Sequence, residues 1–177
     1  VPQLAQLLAQ RLIAKGWLAA EYDRAWMARI AALVQDRLRV MEDIEEEHAF
    51  FFREPPEYQE DAVERFLRQE GVGRRLAQLR ERLSALASFE TSAVEQMMRA
   101  LIAEQQLQSK DLIHPVRVAL TGRAVSPPLF EVMSILGKAK VLSRLEHAAT
   151  HLTRGQTPSA LTLDPADVRR KITPRTR

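Results

Sequence analysis

One stretch in the second half of the chain decides the fold: Asp111-Leu112-Ile113-His114-Pro115-Val116-Arg117-Val118-Ala119-Leu120-Thr121-Gly122-Arg123-Ala124-Val125-Ser126-Pro127-Pro128-Leu129-Phe130-Glu131-Val132. Pro115 predicts the start of a short helix, and Gly122 predicts a corner after it. Ser126 and Pro127 predict the start of a second helix, with Ser126 as N-cap and Pro127 at the first helical position. We therefore expect two helices joined by a tight corner.

Four polar side chains are expected to crowd at this corner: Arg117, Thr121, Arg123 and Ser126. Helix-end N–H groups and arginines bind phosphates, and guanidinium groups hydrogen-bond to base edges, so the corner suits a splayed single-stranded RNA loop. A tight helix–helix connector with surface arginines explains the same residues. From the residues alone, that simpler interpretation is favoured.

Apolar residues recur at helical spacing on both sides of this stretch, and no segment alternates like a strand for long. The first helix is expected to end near Gly16, and the second to begin near Asp23 and continue through residues 44–50. The helix that follows the corner is expected to span Leu129–Leu136 and to end at Gly137, with another over about 138–152. These segments predict an all-α fold.

Two consecutive prolines in Arg53-Glu54-Pro55-Pro56-Glu57-Tyr58 interrupt the helical pattern, because each removes a donor and disfavours helix in the preceding residue. We place a boundary here, which gives two packed helical subdomains over 1–54 and 55–152. Helical spacing is lost after Leu152, and residues 153–177 are expected to form a basic C-terminal tail.

Composition narrows the class of protein. The 177 residues include no cysteine, which excludes disulfides and thiolate metal sites. The opening Val1-Pro2-Gln3 lacks an initiator Met and a signal-peptide pattern, which we interpret as a fragment or a processed chain. No uncharged run approaches the roughly 18 residues that a membrane span needs, so we expect a cytoplasmic protein without a membrane partner.

Charge is unevenly distributed, although the formal net charge is only +3. Residues 21–70 contain 14 acidic and 7 basic residues, whereas residues 97–147 contain 4 acidic and 7 basic ones. A phosphate-rich partner would favour the later region and the basic tail. This pattern permits nucleic-acid binding without requiring it.

Common catalytic motifs do not occur: the sequence contains no GxxxxGK[ST], GxGxxG, GxSxG or HExxH pattern. His147 and His151 have a helical spacing that can hold a metal ion, but the sequence indicates no third ligand, so helix-surface histidines are the favoured interpretation. The acidic cluster at residues 42–47 is interpreted as a solvated helix face. We therefore predict no catalytic residue and no metal.

The stretch quoted above closely resembles the signature near the C-terminus of bacterial glutamyl-tRNA synthetases. The similarity covers about residues 1–152 and includes these blocks: Leu112 to Gly122 (LIHPVRVALTG), Ser126-Pro127, Leu129-Phe130-Glu131, Leu136-Gly137-Lys138, Val141 to Glu146 (VLSRLE), and Ala49-Phe50-Phe51-Phe52 upstream. One departure is Pro128, where many relatives carry glycine.

The resemblance implies a class I aminoacyl-tRNA synthetase whose helical C-terminal half binds the anticodon of tRNA for glutamate. ATP, Mg²⁺ and the HIGH-like and KMSKS-like signatures belong to a catalytic domain that this sequence lacks. The chain alone is therefore expected to have no cofactor and no ligase activity. Its expected partners are tRNA for glutamate and the catalytic domain of the same synthetase, and we expect a monomer.

The resemblance also implies which residues contact tRNA. Arg117 matches an arginine at the anticodon, and Arg99 matches a basic position on the preceding helix. Together with the polar residues of the corner, the predicted tRNA-binding set is Arg37, Arg99, Arg117, Thr121, Arg123, Ser126, Pro127 and Leu129.

Arg37 matches the arginine that recognises the last anticodon base, since a guanidinium can donate to the carbonyl oxygen and ring nitrogen of a cytosine. Arg39, two residues later, is the alternative for this role. We expect Arg37 and Arg117 to lie exposed on helix surfaces. A different function also fits the sequence: a helical protein-interaction scaffold without an RNA role, whose partner surface would be the acidic region 21–70.

Overall fold

The computed structural model describes residues 1–54 and 56–153, and this part of the chain is entirely helical. Its α-helices are α1 (Pro2–Ala14), α2 (Arg24–Val34), α3 (Asp43–Glu46), α4 (Glu60–Phe66), α5 (Val72–Ser84), α6 (Thr91–Glu104), α7 (Lys110–Thr121), α8 (Leu129–Leu136) and α9 (Lys138–His147). A 3-10 turn spans Ala49–Phe51, and a π-helical turn spans Ala148–Leu152. The predicted all-α class is confirmed. The predicted tail, apart from Thr153, lies outside the described residues.

One contiguous cluster of buried apolar side chains holds the helices together. Helix α1 packs on α2, α2 contacts α8, and α9 packs on α5 and α7. The cluster includes buried residues on both sides of residue 54, such as Met27 and Leu79, so no separate cores mark the predicted boundary. The division into 1–54 and 55–152 stays a prediction. None of the helices described is long and apolar enough to cross a membrane.

The predicted limits of the first two helices are confirmed at Gly16 and Asp23. Helix α1 ends just before Gly16, which adopts a φ of +72°, a conformation that glycine tolerates without strain. The Asp23 carboxylate accepts from the N–H groups of Ala25 at 2.8 Å and Trp26 at 3.0 Å. These bonds satisfy two donors that the start of α2 leaves free.

The prediction that the second helix continues through residues 44–50 is wrong. Helix α2 ends at Val34, and the buried Asp43 carboxylate accepts from the N–H groups of Arg39 at 2.7 Å and Val40 at 3.2 Å. A side-chain acceptor of this kind competes with helical carbonyls for the backbone donors. The chain therefore turns between α2 and α3, and Arg37 lies in that turn rather than on a helix.

The predicted start of the helix before the corner and the predicted cap of the helix after it are wrong, whereas the predicted span Leu129–Leu136 is confirmed. Helix α7 begins at Lys110, so Pro115 lies inside it, where the missing N–H leaves out one helical hydrogen bond. Helix α8 begins at Leu129 with Pro128 as N-cap. The predicted cap, Ser126, does not serve α8, because its hydroxyl donates to the carbonyl of Pro127 at 2.8 Å. The predicted end of α8 at Gly137 is confirmed.

Candidate nucleic-acid interface

The corner between α7 and α8 is fixed against residues 57–59. Gly122 accepts through its carbonyl from the N–H of Gln59 at 2.9 Å, and the Tyr58 hydroxyl donates to the carbonyl of Ala119 at 3.1 Å. Gly122 has a φ of +75°, and a Cβ there would lie 1.9 Å from the carbonyl oxygen of Glu57. Glycine is therefore required here both for its backbone conformation and for the close approach.

Thr121 is buried within the corner and stabilises it through hydrogen bonds to the backbone. It is 1% exposed, and its hydroxyl donates to the carbonyl of Arg117 at 2.8 Å and accepts from the N–H of Arg123 at 3.2 Å. Thr121 was predicted as a tRNA-binding residue, but its hydroxyl is engaged within the protein. Arg123 in turn donates through Nη2 to the carbonyl of Glu46, which ties the corner to α3.

The Arg117 side chain extends across the corner and hydrogen-bonds to the loop that precedes α8. Its Nη1 donates to Ser126 Oγ at 2.6 Å and to the carbonyl oxygen of Pro127 at 3.1 Å. Burial, and then the positive charge of Arg37, lowers the pKa of Arg117, although a guanidinium stays charged in proteins. Arg117 was expected to lie exposed on a helix surface, but it is half-buried because it reaches across to the loop that precedes α8.

A cleft of about 350 Å³ opens beside the corner, and we call it the Arg37 cleft. It brings together residues from four separate segments: Arg37, Glu47, His48, Gln59, Arg123, Ala124, Val125, Ser126 and Pro127. Arg37 is thus close to Arg123, Ser126 and Pro127, although 86 to 90 positions separate it from them in the sequence. Two arginines, one carboxylate and apolar walls line the same space.

A second cleft, of about 290 Å³, contains the remaining predicted residues Arg99, Arg117 and Leu129. The Arg99 side chain is 69% exposed and pairs with Glu95 at 2.6 Å on its own helix. Arg117 lines this second cleft and also hydrogen-bonds to Ser126 and Pro127 of the Arg37 cleft. The structure therefore places all the predicted residues except Thr121 on two neighbouring clefts.

Arg39, the alternative to Arg37, faces other partners. Its side chain is 82% exposed, and its guanidinium lies 3.8 Å from Asp43 Oδ2 and 3.6 Å from Glu47 Oε1. It does not line the Arg37 cleft. Of the two arginines, Arg37 is the one positioned to contact a group bound there.

Five residues that line the Arg37 cleft were not predicted: Glu47, His48, Gln59, Ala124 and Val125. Val125 is 76% exposed, an unusual position for an apolar side chain of this size. His48 is 3% exposed, and its pKa is lowered to about 4 by burial and then by the charges of Arg37 and Arg123. No sequence signal indicated His48, because the turn that brings it to the cleft was predicted as helix.

His147 and His151 lie close together, with ring centroids 5.0 Å apart, and both are exposed. Tyr58 stacks on His147 with a centroid distance of 6.0 Å. Within the described ranges, no group of three or more His, Cys, Asp or Glu side chains is arranged to hold a metal ion.

Comparison with known proteins identifies the family. Residues 3–149 match the family described as "Anticodon binding domain". Glutamate–tRNA ligase 1 of Caldanaerobacter subterraneus subsp. tengcongensis is 33% identical over 146 residues, which are 82% of this chain and 30% of the relative. Glutamate–tRNA ligase 2 of Rubrobacter xylanophilus is 36% identical over 159 residues, which are 88% of this chain and 32% of the relative. The chain thus spans about 30% of the length of such relatives.

Solved structures share the fold. A glutamate tRNA ligase from Elizabethkingia meningosepticum superimposes with a TM-score of 0.73 and 21% identity, over 84% of this chain and 30% of that one. A glutamate-tRNA synthetase from Elizabethkingia anophelis gives a TM-score of 0.69 over 84% of this chain and 28% of that one. The chain therefore belongs to the anticodon-binding-domain family and corresponds to that domain of glutamate–tRNA ligases.

Proposed function

We propose that this chain binds the anticodon loop of tRNA for glutamate through the two clefts beside the α7–α8 corner. The observation that carries the proposal is the convergence of Arg37, Arg117 and Arg123 from separate segments on one corner with apolar walls. A splayed anticodon loop presents phosphates for arginines and unstacked bases for clefts of this size. The match to the anticodon-binding family supports the same ligand.

The residues divide into two roles under this proposal. Arg37 and Arg99 are exposed to solvent, where RNA can reach them, with Arg37 at a base in the cleft and Arg99 at the backbone. Arg117 and Thr121 act mainly by holding the corner, since their polar groups are bonded within the protein. The remaining predicted residues, Arg123, Ser126, Pro127 and Leu129, form the walls that a base would contact.

Internal ion pairs weaken the alternative of an acidic protein-interaction scaffold. Glu45 forms ion pairs with Arg11 and Lys15, and the Asp43 carboxylate accepts from the backbone N–H of Arg39. Arg68 pairs with two further carboxylates of the acidic region. Much of the negative charge predicted for a partner surface is therefore neutralised within the protein.

We further propose that the chain acts as the non-catalytic part of an ATP-dependent glutamate–tRNA ligase in the cytoplasm. ATP and Mg²⁺ would bind to the catalytic domain, which is the expected protein partner, and this chain would contribute as a monomer. Its match to about 30% of each glutamate–tRNA ligase supports this arrangement.

The test is titration of the 177-residue chain against labelled tRNA for glutamate, a non-cognate tRNA and duplex DNA. We expect the cognate tRNA to bind most tightly, and log affinity to fall with log salt because arginine–phosphate contacts release counterions. Equal affinity for duplex DNA and cognate tRNA, or a flat salt dependence, would contradict the proposal. The chain alone should show no ATP–pyrophosphate exchange.

A further inference from the structure

His48 is an unpartnered polar side chain in the wall of the Arg37 cleft. It is 3% exposed, and neither Nδ1 nor Nε2 has a hydrogen-bond partner among residues 1–54 and 56–153. The nearest aromatic ring, that of Phe50, meets it edge-on with centroids 6.2 Å apart and offers no acceptor in its place. A buried polar group without a partner destabilises the fold, so its presence beside a cleft calls for a functional explanation.

The surroundings of His48 fix its protonation state. Burial, Arg37 and Arg123 lower its pKa, Asp43 opposes them, and the resulting pKa is about 4. Glu47, which also lines the cleft, is the other carboxylate near the ring. At neutral pH the imidazole is therefore uncharged, and it offers one N–H donor and one nitrogen acceptor.

We propose that His48 is a specificity-determining residue, whose imidazole hydrogen-bonds to the edge of a nucleobase held in the Arg37 cleft. This inference rests on the proposed function, because it assigns a new residue to the same RNA site. The cleft volume of about 350 Å³ is within the range of small-molecule sites. Arg37 and Gln59 line the cleft with exposed, mobile side chains that can move aside for a base.

The hydrogen-bonding groups of Arg37, Arg123 and His48 favour a nucleobase over a phosphate as the bound group. Arginine only donates, and phosphate oxygens only accept, so two arginines would suffice for a phosphate. His48 adds an acceptor, which a phosphate cannot use but an exocyclic amine can. Cytosine combines an amine with an adjacent ring nitrogen and carbonyl that accept from arginine, whereas uracil has a carbonyl in place of the amine. The cleft should therefore prefer cytosine to uracil.

The test uses two variants of the full chain and anticodon stem–loop RNAs that differ only in C or U at the last anticodon base. H48F keeps a ring but removes both nitrogens, and H48Q keeps one donor and one acceptor. We expect H48F to lose about three- to tenfold in its preference for C over U, which corresponds to one neutral hydrogen bond. H48Q should recover part of that preference.

Thermal melting separates this role from a structural one. Because H48F removes two unpartnered buried nitrogens, it should melt at or above the temperature of the parent chain. A parent-like C-over-U preference in H48F overturns the inference, and leaves the proposed function standing if the parent binds cognate RNA. If H48F melts at a lower temperature than the parent and both variants keep the parent's preference for C over U, His48 stabilises the fold and does not recognise a base. Failure of the parent to bind any stem–loop overturns both proposals.

Nuclear magnetic resonance of ¹⁵N-histidine-labelled protein gives a direct readout. The chain has 4 histidines, and the H48F spectrum identifies the His48 signals by their absence. The His48 ring nitrogens should shift on addition of the C-containing stem–loop and stay in place with inorganic phosphate. An equal shift with phosphate would overturn base contact in favour of an anion site.

Discussion

Arg117 Nη1 lies 2.6 Å from Ser126 Oγ, and this bond joins the middle of α7 to the loop that leads into α8. The same nitrogen donates to the carbonyl oxygen of Pro127 at 3.1 Å. A residue that was predicted as an RNA contact is therefore also a brace of the corner. The cleft walls formed by Ser126 and Pro127 depend on it, because in the part of the chain described here Arg117 is the only side chain from outside this pair that donates to them.

We predict that Arg117→Ala destabilises the protein by about 1–3 kcal/mol, the cost of losing charged hydrogen bonds and leaving their acceptors unpaired. Thermal or urea unfolding measures this loss. Arg99→Ala is the matched control, because Arg99 lines the same second cleft but is exposed and should cost less than about 0.5 kcal/mol. Equal stability of the two variants would show that the Arg117 brace contributes nothing.

Arg37→Ala should weaken RNA binding in a base-specific manner. We expect a loss of about 1–3 kcal/mol with C at the last anticodon base and relaxed discrimination at that position, by analogy with base recognition in DNA. Filter binding or anisotropy with four stem–loop variants measures this effect. The fold should be unaffected, since Arg37 is exposed and lies in a turn.

The matched control is Arg39→Ala, which removes an equal charge two residues along the chain from Arg37 and outside the cleft. It should weaken all four RNAs alike, if at all, and lower the salt slope by about one where Arg39 contacts a phosphate. Should Arg39→Ala relax the base preference and Arg37→Ala leave it unchanged, the roles of the two arginines are reversed.

Three helix-end residues, Gly16, Gly137 and Asp23, have the roles that the sequence predicted. Gly16, Gly137 and Asp23 act through local backbone geometry and short-range hydrogen bonds, which depend on a few neighbouring residues. The break after α2 was missed, because it depends on Asp43 reaching back to N–H groups that a helical pattern assigns to the preceding turn. The position of His48 in the cleft follows from that break, so it was missed as well.

Arg144 was overlooked for a different reason. It is 2% exposed, donates to the carbonyl of Phe50 at 2.7 Å and pairs with Glu54 at 2.6 Å. Its place three residues after Val141 and next to Leu145 puts it on the buried face of α9 by helical spacing. The pattern was sufficient to find it, but a charged residue on an apolar face is easily interpreted as exposed.

Gly122→Ala should unfold or severely destabilise the corner. The left-handed φ costs an alanine about 1–2 kcal/mol, and contact with the Glu57 carbonyl adds about 1–3 kcal/mol of overpacking. Gly16→Ala is the control, because Gly16 has a similar φ of +72° but no atom within 4 Å of the added Cβ. Urea denaturation of both variants separates the two terms. Equal losses of stability in the two variants would mean that the Glu57 backbone moves aside freely.

The pH dependence of stability should report the Asp43 cap. Hydrogen bonds from the backbone N–H of Arg39 and then Val40 lower the pKa of Asp43 below its ordinary value of 3.8. A carboxylate with a lowered folded-state pKa contributes stability that is fully present above its unfolded pKa and is lost as pH falls through the folded one. Asp43→Asn should therefore melt below the parent at neutral pH, and the difference should shrink as pH falls below about 4.

Asp36→Asn is the control for this prediction, since Asp36 is exposed in the same turn and its substitution should leave the melting temperature at neutral pH nearly unchanged. The cap also has a consequence for RNA binding, because the turn it stabilises is the one that carries Arg37 to the cleft. Asp43→Asn should thus weaken C-containing stem–loops at neutral pH even where the protein remains folded. Binding equal to that of the parent would mean that the RNA orders the turn without help from Asp43.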